Sequence, residues 1–289
     1  MKKISFTILF SLLFSFAFSQ KENALLWKIS GNGLKYDSYL FGTVHVLSGN
    51  ENDYPVFNTM SKYFNNCSEL ILEINLSQVN FSDYNILSKM VLKSDSTIDR
   101  IMDPQEYSQA VTFWRDTLLF NSQIIEQLRV CKPVFTSSFF MTVMFDNYFS
   151  PEELLMQRAQ SAGMSLYGLE TPEYQFDLLN KIPLSEQINM LVIDSQHFET
   201  MTDEYNNLIK IYKSGDFSAL SSVINDDMDF TKYIPDFLES RNHDWTNKII
   251  DEISHNPCFI AVGAGHLASL SSLTTILESK GYLLTPIRN

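Results

Sequence analysis

Two histidines and two glutamates in this chain each stand at the end of an apolar run. Tyr39-Leu40-Phe41-Gly42-Thr43-Val44-His45 and Phe259-Ile260-Ala261-Val262-Gly263-Ala264-Gly265-His266 share a pattern: an apolar stretch, glycine, two residues, histidine. Leu70-Ile71-Leu72-Glu73 and Leu166-Tyr167-Gly168-Leu169-Glu170 share another, an apolar stretch closed by glutamate. Short continuous apolar runs suit strands buried on both faces by crossover helices. In such sheets ligands bind just beyond the carboxyl ends of the strands, so all four side chains are expected at one rim. Two imidazoles and two carboxylates make a ligand set for a divalent metal, or an acid/base set. Both readings point to an enzyme.

A single GxxH is weak evidence, and a histidine that caps a strand end through a hydrogen bond is its ordinary explanation. Two copies, each directly after an apolar run, reverse that preference. Glu170 could be simple acidic charge at a helix start, since Thr171-Pro172 follows it. Glu73 has no comparable capping role. One of the two could ligate a cation while the other acts as base on a bound water. Arg241 could hold a substrate carboxylate or an oxyanion beside such a site, although its spacing alone reads as a surface arginine. His197, His243 and His255 lack paired spacing and read as surface residues. The chain has no P-loop, GxGxxG, HExxH or GxSxG, which removes support for nucleotide binding, zincin chemistry and a hydrolase serine.

The elements that would position these residues form an α/β pattern. Leu25 to Ile29, the turn Gly31-Asn32-Gly33 and the first histidine strand read as a hairpin. A helix over Tyr54 to Asn66 leads to the first glutamate strand, which makes a strand–helix–strand crossover. A helix-rich middle runs from about Tyr84 to Ala162. Within it Pro104 heads one helix, and Ser150-Pro151-Glu152-Glu153 is a capping box. The stripe Phe135, Phe139, Phe140, Val143, Met144 reads as core or groove lining. Helical spacing resumes over Leu184–Asp194, Glu199–Lys213 and Phe217–Ile224, and from Pro235 to Ile253. After the second histidine strand come a helix over Leu270–Leu277 and a last strand over Tyr282–Thr285. The predicted fold is a mostly parallel sheet covered by helices. The order of its tips, His then Glu followed by Glu then His, suggests two mirrored halves.

Residues 1–19 read as a signal peptide: Lys2 and Lys3, an apolar stretch from Ile4 to Phe18, and Ala17-Phe18-Ser19 as a cleavage site before Gln20. No cysteine follows for lipid attachment. The expected mature protein, residues 20–289, is a single α/β domain, periplasmic or secreted, with no membrane association after cleavage. Loss of the two lysines takes the formal charge from −13 to −15, which argues against nucleic acid and anionic membranes as partners. Cys67, Cys131 and Cys258 are widely spaced and odd in number, so they read as structural thiols with at most one bridge.

Leu26-Trp27-Lys28-Ile29, the first GxxH run, Leu72-Glu73, Gly168-Leu169-Glu170-Thr171, Arg241-Asn242 and Gly263-Ala264-Gly265-His266-Leu267 occur in this order. Together they resemble the TraB/GumN family, whose animal relatives are the Tiki metalloproteases, over Leu25 to Ile287. The resemblance implies an α/β architecture like that of the ChaN/erythromycin-esterase superfamily, with two related halves. It also implies a divalent metal, manganese or cobalt before zinc, held by His45, His266, Glu73 and Glu170 with Arg241 nearby. The function that follows is an exported metal-dependent hydrolase acting on peptides or other small amides and esters. The alternative is a non-catalytic binder of a peptide, haem or metal at the same rim. One departure stands out: Leu267 is followed by Ala268-Ser269-Leu270-Ser271-Ser272, where the family pattern leads one to expect a glycine.

Overall fold

The computed structural model describes residues 24–80, 82–226 and 232–288. The expected leader and its cleavage site lie outside the described residues. The sheet has six strands: β1 (Leu26–Gly31), β2 (Ser38–Thr43), β4 (Glu69–Leu72), β6 (Ser165–Gly168), β7 (Cys258–Gly263) and β8 (Tyr282–Ile287). A separate two-stranded ribbon pairs β3 (Leu47–Ser48) with β5 (Tyr148–Phe149), antiparallel. The large sheet has the order β6-β4-β7-β2-β1-β8. Its first four strands pair in parallel, and β1 runs against both of its neighbours. The fold is therefore α/β with a mostly parallel sheet.

This order has a direct consequence for the four tips. β6, β4, β7 and β2 are consecutive neighbours, so their carboxyl ends carry Glu170, Glu73, His266 and His45 side by side in that sequence. The register keeps the rim level: Leu72 lies opposite Gly168 and Ala261, and Thr43 lies opposite Gly263. The motif halves also interleave. β7 inserts between β2 and β4, and β4 inserts between β6 and β7.

The three inner motif strands are buried along their length, as a sheet covered on both faces requires. β6 is different: as an edge strand it is only half buried, so its apolar run is not that of an inner strand. Pro55–Phe64 packs on the sheet through Phe57 against Phe41 and Phe64 against Phe259. Truncating a ring such as Phe41, fully buried in this layer, costs about 3–5 kcal/mol. The β1–β2 hairpin closes through Gly31, Asn32 and Gly33, all with positive φ, which is why the turn needs two glycines and an asparagine.

The helix-rich middle has a core of its own. Ile98, Phe113, Trp114, Phe140 and Leu191 form a cluster separate from the one under the sheet. Phe135 packs in a smaller cluster with Val134 and Ile182, whereas Phe139 is exposed. At Ser150 the hydroxyl accepts from the Glu153 N–H, which is one half of the expected capping box. The segment from Pro235 departs from a regular helix. Pro235–Glu239 is a π-helical turn, and the α-helix is Ser240–His255. After β7 the chain makes a short helix, Gly265–Ala268, and the next helix begins at Leu273, capped by Ser272, rather than at Leu270. The three cysteines are free thiols. No helix among the described residues is long and apolar enough to cross a membrane.

Candidate active site

Arg241 is the centre of the rim. It lies in the first turn of the α-helix after the π turn and is buried, not exposed as its spacing suggested. Its five N–H groups all have acceptors. Nη2 donates to Glu73 Oε2 at 2.7 Å and to Glu170 Oε1, and Nε donates to Glu170 Oε2 at 3.2 Å. Nη1 reaches the Phe237 carbonyl of the π turn at 2.9 Å and His266 Nε2 at 3.2 Å. The guanidinium also stacks on Trp245, 4.6 Å from the ring centroid. One planar cation thus holds both carboxylates and one imidazole in register, which a lysine's point charge cannot do.

The two glutamates have different surroundings. Glu170 also accepts from Trp245 Nε1 at 3.0 Å and from Gln175 Nε2 at 2.8 Å, so both of its oxygens are fully engaged. It lines a second, polar groove with Asn75 and Lys248. Glu73 takes Gln175 Nε2 on Oε2 at 3.1 Å, and its Oε1 accepts from the Gly263 N–H at 2.7 Å. A side chain at Gly263 would crowd that Oε1, at 3.3 Å from the position of a Cβ. Burial opposes ionisation of Glu73, but His266, Arg241, His45 and the Gly263 N–H together hold its pKa down to about 2.

His266 is buried and locked. Its Nδ1 lies 2.7 Å from Asn242 Oδ1, and Asn242 Nδ2 donates to the carbonyls of His266 and Ser271 and to the Ser269 hydroxyl. The amide is fixed with its oxygen toward the ring, so Nδ1 carries the proton and Nε2 keeps its lone pair. Burial pushes the pKa of His266 down to about 3, Glu73 opposes this, and the nearby cations add to it. The ring is neutral, with Nε2 3.6 Å from Glu73 Oε1. Trp245 packs against it, with the centroids 4.3 Å apart and the ring planes tilted by 37°.

His45 sits on the mouth of the site, its side chain 73 % exposed against 3 % for His266. Its Nδ1 meets Glu152 Oε1 at 3.0 Å, and that contact raises its pKa to about 9. His45, His266, Glu73 and Arg241 line one cleft of about 610 Å³. Its walls are apolar and include Leu208, Leu220, Ile224, Phe237 and Leu238. The rim therefore gathers all five residues singled out in the sequence, but the cleft faces only four of them. Glu170 stands behind.

The chain belongs to the TraB/PrgY/gumN family. The family model matches residues 25–286, nearly the full length of the chain. No curated protein and no solved structure matches it.

The donors in the cleft fit a divalent ion in part. His266 offers a neutral Nε2 whose partner nitrogen is fixed by Asn242, but that Nε2 now accepts from Arg241 Nη1 and would have to exchange this contact for an ion. Glu73 offers an ionised oxygen beside it. This mixed N/O pair suits manganese, cobalt or zinc. The expectation that all four motif residues share one ion is not the arrangement here, because Arg241, Trp245 and Gln175 take up Glu170. Among the described residues no three His, Cys, Asp or Glu side chains stand in ligating geometry, and His45 is turned toward Glu152. Three participants escaped the sequence reading. Asn242 was visible only as a neighbour of Arg241, Gln175 as a helix residue after Thr171-Pro172, and Glu152 as N-terminal helix charge.

Proposed function

We propose that the protein is a metal-assisted hydrolase of amide or ester bonds, with peptides as its preferred substrates. The observation that carries this reading is the convergence of two GxxH histidines and Glu73 on one apolar-walled cleft. His266, Glu73 and His45 would hold the ion, a His₂Glu set that leaves a coordination position open. When bound, such an ion lowers the pKa of water and polarises a carbonyl. The family resemblance favours manganese or cobalt.

The chain's own residues contribute the rest. Asn242 keeps the His266 proton on Nδ1, so Nε2 is an acceptor that takes an Arg241 N–H in this structure and would exchange it for the ion. Glu73, held ionised, supplies negative charge and is too weakly basic to serve as the main proton acceptor. Arg241 offsets two buried carboxylates and fixes their geometry. With all its N–H groups engaged, it acts as a scaffold and not as a grip on substrate. Glu170 serves Arg241. The wall from Leu208 to Leu238 receives an apolar group of the substrate next to the bond that breaks. Ligation at His45 Nε2 requires loss of that ring's second proton, so metal affinity rises with pH. The leader at residues 1–19 belongs to this proposal: the mature protein would begin at Gln20 and act in the periplasm or outside the cell, which intact mass of protein from its native host checks.

A peptide library incubated with the protein and manganese, cobalt or zinc tests the reading. Metal-stimulated cleavage next to apolar residues, lost in Glu73→Gln and in His266→Ala, is expected. No cleavage with any of the metals would overturn it in favour of a non-catalytic binder, and cleavage by both variants equal to that of the wild type would overturn this site.

A further inference from the structure

Glu152 is a part-buried carboxylate at the mouth of the cleft, and the roles described above leave it unused. It comes from the middle segment, 107 residues after His45, yet its Oε1 accepts both from the Thr43 hydroxyl at 2.6 Å and from His45 Nδ1 at 3.0 Å. Its Oε2 accepts from the Ser150 hydroxyl at 3.1 Å. Three groups from two distant parts of the chain thus converge on one carboxylate whose side chain is only 16 % exposed.

The fold builds this contact twice over. The β3–β5 ribbon, Leu47 opposite Phe149 and Ser48 opposite Tyr148, ties the segment just after His45 to the segment just before Glu152. A further bond from the Gly49 N–H to the Asn147 carbonyl, 3.0 Å, extends it. Glu152 then falls in the first turn of the helix Pro151–Ala162, where the exposed N–H groups favour a negative charge. Desolvation works against that charge, but His45, the Thr43 hydroxyl and the Glu152 N–H outweigh it and hold the carboxyl below its ordinary range.

We propose that Glu152 is the positioning residue of His45, accepting its Nδ1 proton so that Nε2 is the ring nitrogen presented to the cleft. Asn242 does the same for His266 on the neighbouring strand, by an amide oxygen instead of a carboxylate. This inference rests on the hydrolase reading for its consequence, a His45 ready to ligate. Its geometry stands without it.

The decisive readout needs neither metal nor turnover. Long-range ¹H–¹⁵N NMR of ring-labelled, chelator-treated protein, at a pH where His45 is neutral, reports which ring nitrogen carries the proton. His45→Gln identifies the resonance. Nδ1–H is expected in the full-length wild type and in Glu152→Gln, whose amide oxygen can still accept. Glu152→Ala should revert to the Nε2–H form that free imidazole side chains prefer. Where the wild type binds metal, Glu152→Ala should lose affinity by about 10–100-fold and Glu152→Gln by less. Nε2–H in the wild type, or an unchanged tautomer in a folded Glu152→Ala, would overturn the proposal. A tautomer switch in a protein that binds no metal supports the positioning role and removes the hydrolase reading alone.

Discussion

The two GxxH histidines come from adjacent parallel strands and from one sequence pattern, yet the protein treats them in opposite ways. His266 is buried against Trp245, neutral, and fixed by an asparagine that makes three further contacts. His45 is open to solvent and paired with an anion that favours its charged form. The motif sets where an imidazole emerges from the sheet. What packs around the emergence point sets its proton and its freedom. His266 and Glu73 form the buried half of the site, while His45 is the exposed half, held among the described residues by Glu152 alone. The glutamates divide in the same manner, Glu73 toward the cleft and Glu170 toward the arginine.

The largest effect that would break this contrast is on the buried half. Arg241→Met leaves Glu73 and Glu170 buried without their shared cation and should cost about 3–5 kcal/mol in urea denaturation. Arg241→Lys should recover only part of it, since an ammonium cannot satisfy the same five acceptor positions. A loss below about 1 kcal/mol for the methionine variant would show that the guanidinium does not hold the site together. Asn242→Ala comes next. It strips the partner from His266 and from the Ser271 carbonyl and should cost about 1–3 kcal/mol, read by the same denaturation curve.

The two histidines also predict pH slopes of opposite sign. His266 has a folded pKa near 3 against an ordinary 6.5, so the unfolded chain takes the proton first and stability falls as pH drops from 6.5 toward 3. Glu73, near 2 against 4.5, adds a loss in the same direction as pH falls from 4.5 toward 2. His45 is raised to about 9, so its contribution is present below 6.5 and disappears as pH rises through 9. Solvent exposure keeps that limb shallow. Thermal melts of chelator-treated protein should therefore show a steep acid limb that His266→Gln flattens, and a weak alkaline limb that His45→Gln flattens. The smallest effect is on stability at neutral pH: His45→Gln should change it by no more than about 0.5 kcal/mol. A larger cost would mean that His45 is as structural as His266.

Much of this was legible in the sequence, because apolar runs and tip residues are local signals. The inner strands, the covering helices and the gathering of His45, Glu73, Glu170, Arg241 and His266 at one rim follow from periodicity and from the family motifs. What the sequence hid depends on contacts between distant segments. Glu170 and Glu73 look alike as strand tips, and only the edge position of β6 with the inward reach of Arg241 separates their surroundings. Arg241 reads as a surface residue because the π turn at Pro235–Glu239, which sets the phase of its helix, has no periodic signature. Glu152 reads as a helix-start acid because its partner lies 107 residues away, across a two-residue ribbon too short to detect. The order of strands at the rim is likewise a property of the interleaved topology and not of any one segment.

The central claim is that both GxxH histidines serve one metal-binding cleft. Calorimetric titration of chelator-treated protein with manganese, cobalt and zinc tests it most directly, comparing the wild type with the His45→Ala/His266→Ala double variant. One ion per chain for at least one metal in the wild type, and its loss in a double variant that still folds, is the expected result. Equal binding by the two proteins, or no binding of any of the three metals to the wild type, would contradict it.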